Sequence, residues 1–87
     1  MAKYKIFIKA SAVKELEDIP QKYIKKIISP IQSLEQNPRP LGSQKLSTQE
    51  KYRLRQGDYR IVYSVQEKEC SIVIVKVGHR GEVYRSK

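Results

Sequence analysis

Arg53, Arg55 and Arg60 fall within KYRLRQGDYRIVY, residues 51–63, and their type and spacing are the first hint of chemistry in this chain. A guanidinium stays charged and presents a rigid, planar fork of N–H donors that matches a phosphate two bonds at a time. The same stretch alternates polar and apolar residues with a period of two, as a half-buried β-strand does. With Gln56-Gly57 as a two-residue hairpin loop, Arg53 faces Arg60, Leu54 faces Tyr59 and Arg55 faces Asp58. Opposed residues share a face of the sheet. Arg53, Arg55, Asp58 and Arg60 therefore line one side, and Tyr52, Leu54, Tyr59, Ile61 and Tyr63 line the other. An arginine opposite an arginine destabilises a sheet, and one aspartate offsets only one cation. Two readings follow: a solvated basic face with its side chains splayed apart, or a face that holds phosphate.

The stretch GHRGEVYR, residues 78–85, carries a second set. His79 is the one histidine, and an imidazole is the side chain best suited to proton transfer near neutral pH. Arg80 and Arg85 add cations, and Tyr84 offers a ring on which an RNA base could stack. The plainer readings are a surface or capping histidine and a core tyrosine. The chain lacks a His/Cys cluster for zinc, a phosphate-binding glycine loop and a close acidic pair for magnesium. Asp58 and Glu50 are too isolated for a two-metal nuclease. Any RNA cleavage is thus expected to need no metal or other cofactor. It would use the substrate's 2′-hydroxyl as nucleophile, with arginines stabilising the phosphorane and side chains moving the protons.

The elements that must position these residues fit a single domain, residues 1–87. Lysine and arginine total 18 against 9 acidic residues, a net charge of +9, which suits an acidic partner such as nucleic acid. No apolar run approaches the length of a membrane span, and MAKYKIFIKA lacks the uninterrupted apolar core of an export signal. Cys70 is the one cysteine, and it reads as a small structural residue in a cytosolic protein. Residues 3–9 alternate as a strand with Tyr4, Ile6 and Ile8 inward. Ser11 is a candidate N-cap for a helix over 12–18 that turns Val13 and Leu16 inward. Pro20 opens a second helix whose stripe is Tyr23, Ile24, Ile27, Ile28, Ile31 and Leu34. Pro30 should kink or divide that helix, and Asn37-Pro38-Arg39-Pro40 ends it. Strands follow at 51–55, 59–65 and 71–77. The last is apolar on both faces until Lys76, as a covered central strand would be, and it breaks at Gly78. The predicted class is α+β: an N-terminal strand and a helical pair packed on a mainly antiparallel sheet.

YRLRQGDYRIVYSV, a following strand and VGHRGEVYR together resemble the RelE branch of the RelE/ParE toxin superfamily, as does the order of elements across nearly the whole chain. The resemblance implies a RelE-like fold. It also implies a toxin of a type II toxin–antitoxin system that enters the ribosomal A site and cleaves mRNA there, neutralised by a cognate antitoxin. Carried over by position, Arg60 and Arg80 would hold the scissile phosphate, and Tyr84 would stack on or orient the nucleotide. Arg53 and Arg55 would add positive charge, with His79 the candidate acid for the leaving 5′ oxygen. Well-studied RelE toxins carry lysines at the paired positions, and an arginine does not give up its proton as a lysine can. The group that takes the 2′ proton is thus left open. Two other functions fit the same residues: a ParE-like toxin that inhibits DNA gyrase without cutting RNA, and a non-catalytic RNA- or ribosome-binding module.

Overall fold

The computed structural model describes residues 3–46 and 51–79. Strand β1 spans Lys5–Ile8. Helices α1, Ala10–Glu17, and α2, Gln21–Ser33, follow. Then come β2, Ser43–Lys45; β3, Lys51–Gln56; β4, Tyr59–Gln66; and β5, Ser71–His79. The strands form one sheet in the order β1-β5-β4-β3-β2. All neighbours are antiparallel except β1 and β5, which run parallel from Lys5 opposite Ser71 to Ile8 opposite Ile74. The class is α+β, as the element order predicts.

Alternation sorts the sheet into two faces. Tyr52, Leu54, Ile61, Tyr63, Val65, Ile72, Ile74 and Val77 point to the helices and form the core with Ala12, Ile27, Ile31 and Leu34. Each such buried aliphatic side chain contributes on the order of 1.5–3 kcal/mol. On the other face β5 is less covered, since Val73 and Val75 are half-buried. Among the described residues no helix is long and apolar enough to cross a membrane.

Several local expectations give way to tertiary packing. Helix α1 starts before Ser11: Lys9 is the N-cap, without a side-chain cap, and Val13 N–H bonds its carbonyl at 2.9 Å. Lys9 N–H still bonds Ile74 O, so the chain turns into the helix directly from the strand. That phase buries Ala12 and leaves Val13 39% exposed. Pro30 does not divide α2, which runs through it to Ser33. Ile27, Ile31 and Leu34, buried before and after it, hold the helix to the sheet against the lost hydrogen bond, and Ser33 Oγ donates to Pro30 O at 2.7 Å. Nor does Gly78 end the last strand, because Arg60 and Tyr59 still pair with Gly78 and His79.

Candidate nucleic-acid interface

The hairpin loop is Gly57-Asp58, one residue later than predicted. Gln56 faces Tyr59, Arg55 faces Arg60, Leu54 faces Ile61 and Arg53 faces Val62. Gly57 sits at φ +60, the first central position of a type II′ turn, where glycine is favoured. The shift in pairing is two residues in sum, and side chains alternate with a period of two. The predicted faces therefore survive: Arg53, Arg55 and Arg60 share the side away from the helices. The like-charge pair is Arg55–Arg60 instead of Arg53–Arg60, and Asp58 is placed in the turn.

These three arginines differ in setting. Arg55 is exposed. Arg53 reaches across to β2, where its Nη2 donates to Gln44 Oε1, and Gln44 is its partner across the ladder. Arg60 is 5% exposed, with Nη1 3.4 Å from Tyr59 O. Next to it on β5 stands Gly78, which has no side chain to crowd the guanidinium. Gly42, Ser43, Gln44, Arg53 and Arg55 line a shallow depression beside this row. Strand β2, a three-residue edge without apolar alternation, thus completes the basic face, and its composition carries no strand signal that could have revealed it.

His79 lies on the opposite face. It pairs with Tyr59, and the two rings meet edge to face at 5.3 Å. Tyr59 in turn meets Tyr23 of α2 at 6.0 Å. Strand β5 therefore does not bring His79 together with the arginines. Pairing parity would have revealed this, since Gly78, not His79, stands beside Arg60. Arg80, Tyr84 and Arg85 lie outside the described residues.

The end of β5 is braced by Glu15 of α1. Pairing with β1 stops at Ile74, and past that point Glu15 Oε1 accepts Val77 N–H at 2.8 Å while Oε2 takes Lys76 Nζ at 2.6 Å. A bulge between Val62 and Tyr63 in the β4–β5 register adjoins this spot.

A further arginine, Arg39, serves a different end. Its Nε donates to Tyr52 Oη at 2.8 Å and its Nη2 to Glu67 Oε2. Tyr4 Oη donates to Glu67 Oε1 at 3.0 Å, and Tyr63 Oη to Pro38 O at 2.7 Å. Arg39, and after it Tyr4, hold the Glu67 carboxyl below the usual carboxylate range, and burial pushes the Tyr63 phenol up. This network ties the segment after α2 to β3, β4 and the β4–β5 turn. Among the described residues no three His, Cys, Asp or Glu side chains stand together as a metal site.

Residues 6–84 match the family model of the ParE toxin of type II toxin–antitoxin systems. A Methanocaldococcus jannaschii protein assigned as toxin RelE1 is 30% identical over 88 residues, covering 97% of this chain and 98% of that one. A chain of the archaeal RelE–RelB complex from Pyrococcus horikoshii superposes with a TM-score of 0.79 at 30% identity, over 97% of this chain and 99% of that one. Isolated Escherichia coli RelE superposes with a TM-score of 0.79 at 21% identity, over 93% and 90%.

Proposed function

The chain belongs to the RelE/ParE superfamily of type II toxin–antitoxin toxins, and from that premise we propose that it is a ribosome-dependent mRNA endoribonuclease. The whole chain, residues 1–87, acts as one toxin domain in the ribosomal A site, in the cytoplasm. The supporting observation is the shared face of Arg53, Arg55 and Arg60, with Arg55 and Arg60 directly opposed. Two opposed cations weaken a bare sheet; a phosphodiester seated between them would reverse the sign of that term.

In the reaction the substrate's 2′ oxygen bonds to phosphorus, the 5′ oxygen leaves, and a cyclic phosphate remains on the upstream nucleotide. Arg60 and Arg80 hold the phosphate oxygens as charge builds on them, and preorganised donors of this kind are each worth about 10²–10³ in rate. Arg53 and Arg55 add positive potential, and Tyr84 stacks on the nucleotide. The position of His79 on the other face favours nucleotide contact for it over protonation of the leaving oxygen. The partner is a cognate antitoxin: relatives of this fold occur in RelE–RelB complexes, and a segment with acidic and apolar residues would neutralise the arginine face.

Induced expression followed by 5′-end mapping of cellular mRNA tests the proposal. New ends within translated codons are expected, and they should vanish in Arg60→Ala. Intact mRNA together with loss of supercoiling by purified gyrase would replace it with a ParE-like activity.

A further inference from the structure

The ring contacts among Tyr23, Tyr59 and His79 border a hollow between α2 and the hairpin tip, also lined by Lys26, Gln56 and Asp58. We infer that this hollow is a second RNA subsite, which takes one unstacked nucleobase of a single strand whose phosphate crosses the arginine row. The inference rests on the proposed function and adds a binding position to it.

Its chemistry is that of base capture. Tyr23 is 39% exposed and His79 is exposed, with Lys22 Nζ 5.2 Å over the Tyr23 ring, so the ring surface left for a ligand is bordered by a cation. The rings stand at 48° and 82° to Tyr59, so they form a corner that a flat base can enter. Stacking on an aromatic ring is worth about 1–3 kcal/mol per base and tolerates any sequence. Gln56 offers both a donor and an acceptor and Asp58 an acceptor for the edge of the base, as single-strand readers use. Lys22, Lys25 and Lys26 line the exposed surface of α2, which has no acidic residue, so a backbone phosphate beside the base meets positive charge. An acidic peptide would also be drawn to these lysines, but it would gain less from an aromatic corner.

The position of the hollow agrees. Arg55, Arg60 and Gly78 form one row across the sheet, and Gln56, Tyr59 and His79 form the next row toward the hairpin tip. Successive rows point to opposite faces. A single strand leaving the arginine row and turning round the sheet end at Gly57 arrives at the aromatic corner.

The test uses the full chain and a short single-stranded RNA carrying 4-thiouridine, irradiated and mapped by mass spectrometry, with affinity read by fluorescence anisotropy. Crosslinks are expected at Tyr23, Tyr59 or His79. Tyr23→Ala should weaken binding by about 5- to 100-fold, Tyr23→Phe should restore it, and thermal melts should show both variants folded. Crosslinks confined to the arginine face, or unchanged affinity in Tyr23→Ala, would overturn the inference. So would unchanged RNA affinity with lost neutralisation by the co-expressed antitoxin, which would reassign the hollow to protein docking. Crosslinks at the hollow without mRNA cleavage would retain the subsite and remove the nuclease, whereas cleavage without those crosslinks would do the reverse.

Discussion

Arg39 stands between Tyr52 and Glu67, with its donors turned onto a phenol and a carboxylate. Arg60 stands opposite Arg55, so its neighbour across the ladder is another cation. The first arrangement draws three parts of the chain together. The second places like charges side by side, on an arginine that is itself buried, with Nη1 3.4 Å from Tyr59 O. The first guanidinium ties three segments of the chain together; the second shares a sheet face with Arg53 and Arg55.

The largest expected effect would break this contrast at the basic end. Arg60→Ala should lower mRNA cleavage by about 100-fold or more, read as the rate per folded molecule, with chemical denaturation measuring separately the cost of truncating this buried side chain. Full activity in this variant would remove Arg60 from the phosphate site. Arg39→Ala should do the converse. Losing its hydrogen bonds to Tyr52 and Glu67 should cost about 1–2 kcal/mol in urea unfolding, with the cleavage rate per folded molecule unchanged.

A pH series sharpens the same comparison. Glu67 has its folded-state pKa lowered, first by Arg39 and then by Tyr4. Its contribution is therefore full above the unfolded carboxylate pKa, roughly 4.3, and is lost as pH falls through the lower folded value. Wild type should be more stable than Glu67→Gln near neutrality, and the gap should close in thermal melts taken below about pH 4. A gap independent of pH would mean that the ion pair is not what anchors the turn.

The smallest effect lies in that turn. Cys70 adopts φ 54, a left-handed conformation that costs a side-chain-bearing residue roughly 1–2 kcal/mol. Cys70→Gly should raise stability by part of that amount, about 0.5–1 kcal/mol after the glycine's greater unfolded-state freedom is subtracted, and leave cleavage unaltered.

The two regions were not equally legible in the sequence. The arginine face could be read despite a misplaced loop, because an error of two in the summed pairing leaves the parity of every side chain intact. Its two long strands, β3 and β4, alternate and are joined by a glycine turn. The Arg39 network joins residues 4, 39, 52 and 67, and nothing in local periodicity links positions so far apart. The same limit hid the aromatic corner of Tyr23 and Tyr59, which depends on how α2 crosses the hairpin. The cap of helix α1 lies two residues earlier than predicted, at Lys9, and packing of the helix against the sheet buries Ala12 in place of Val13. The strength of packing around Pro30 likewise outweighed a local penalty of about 3 kcal/mol.

The parallel pairing of β1 with β5 joins residues 5–8 to residues 71–74. During translation β1 has no neighbour until residues 71–74 have been made. Loop closure over such a span is slow compared with helix formation, so the newborn polypeptide passes its synthesis as an incomplete sheet. The sheet is therefore closed at its β1 edge only after residues 71–74 have joined it, which places that pairing among the last long-range contacts the fold can form.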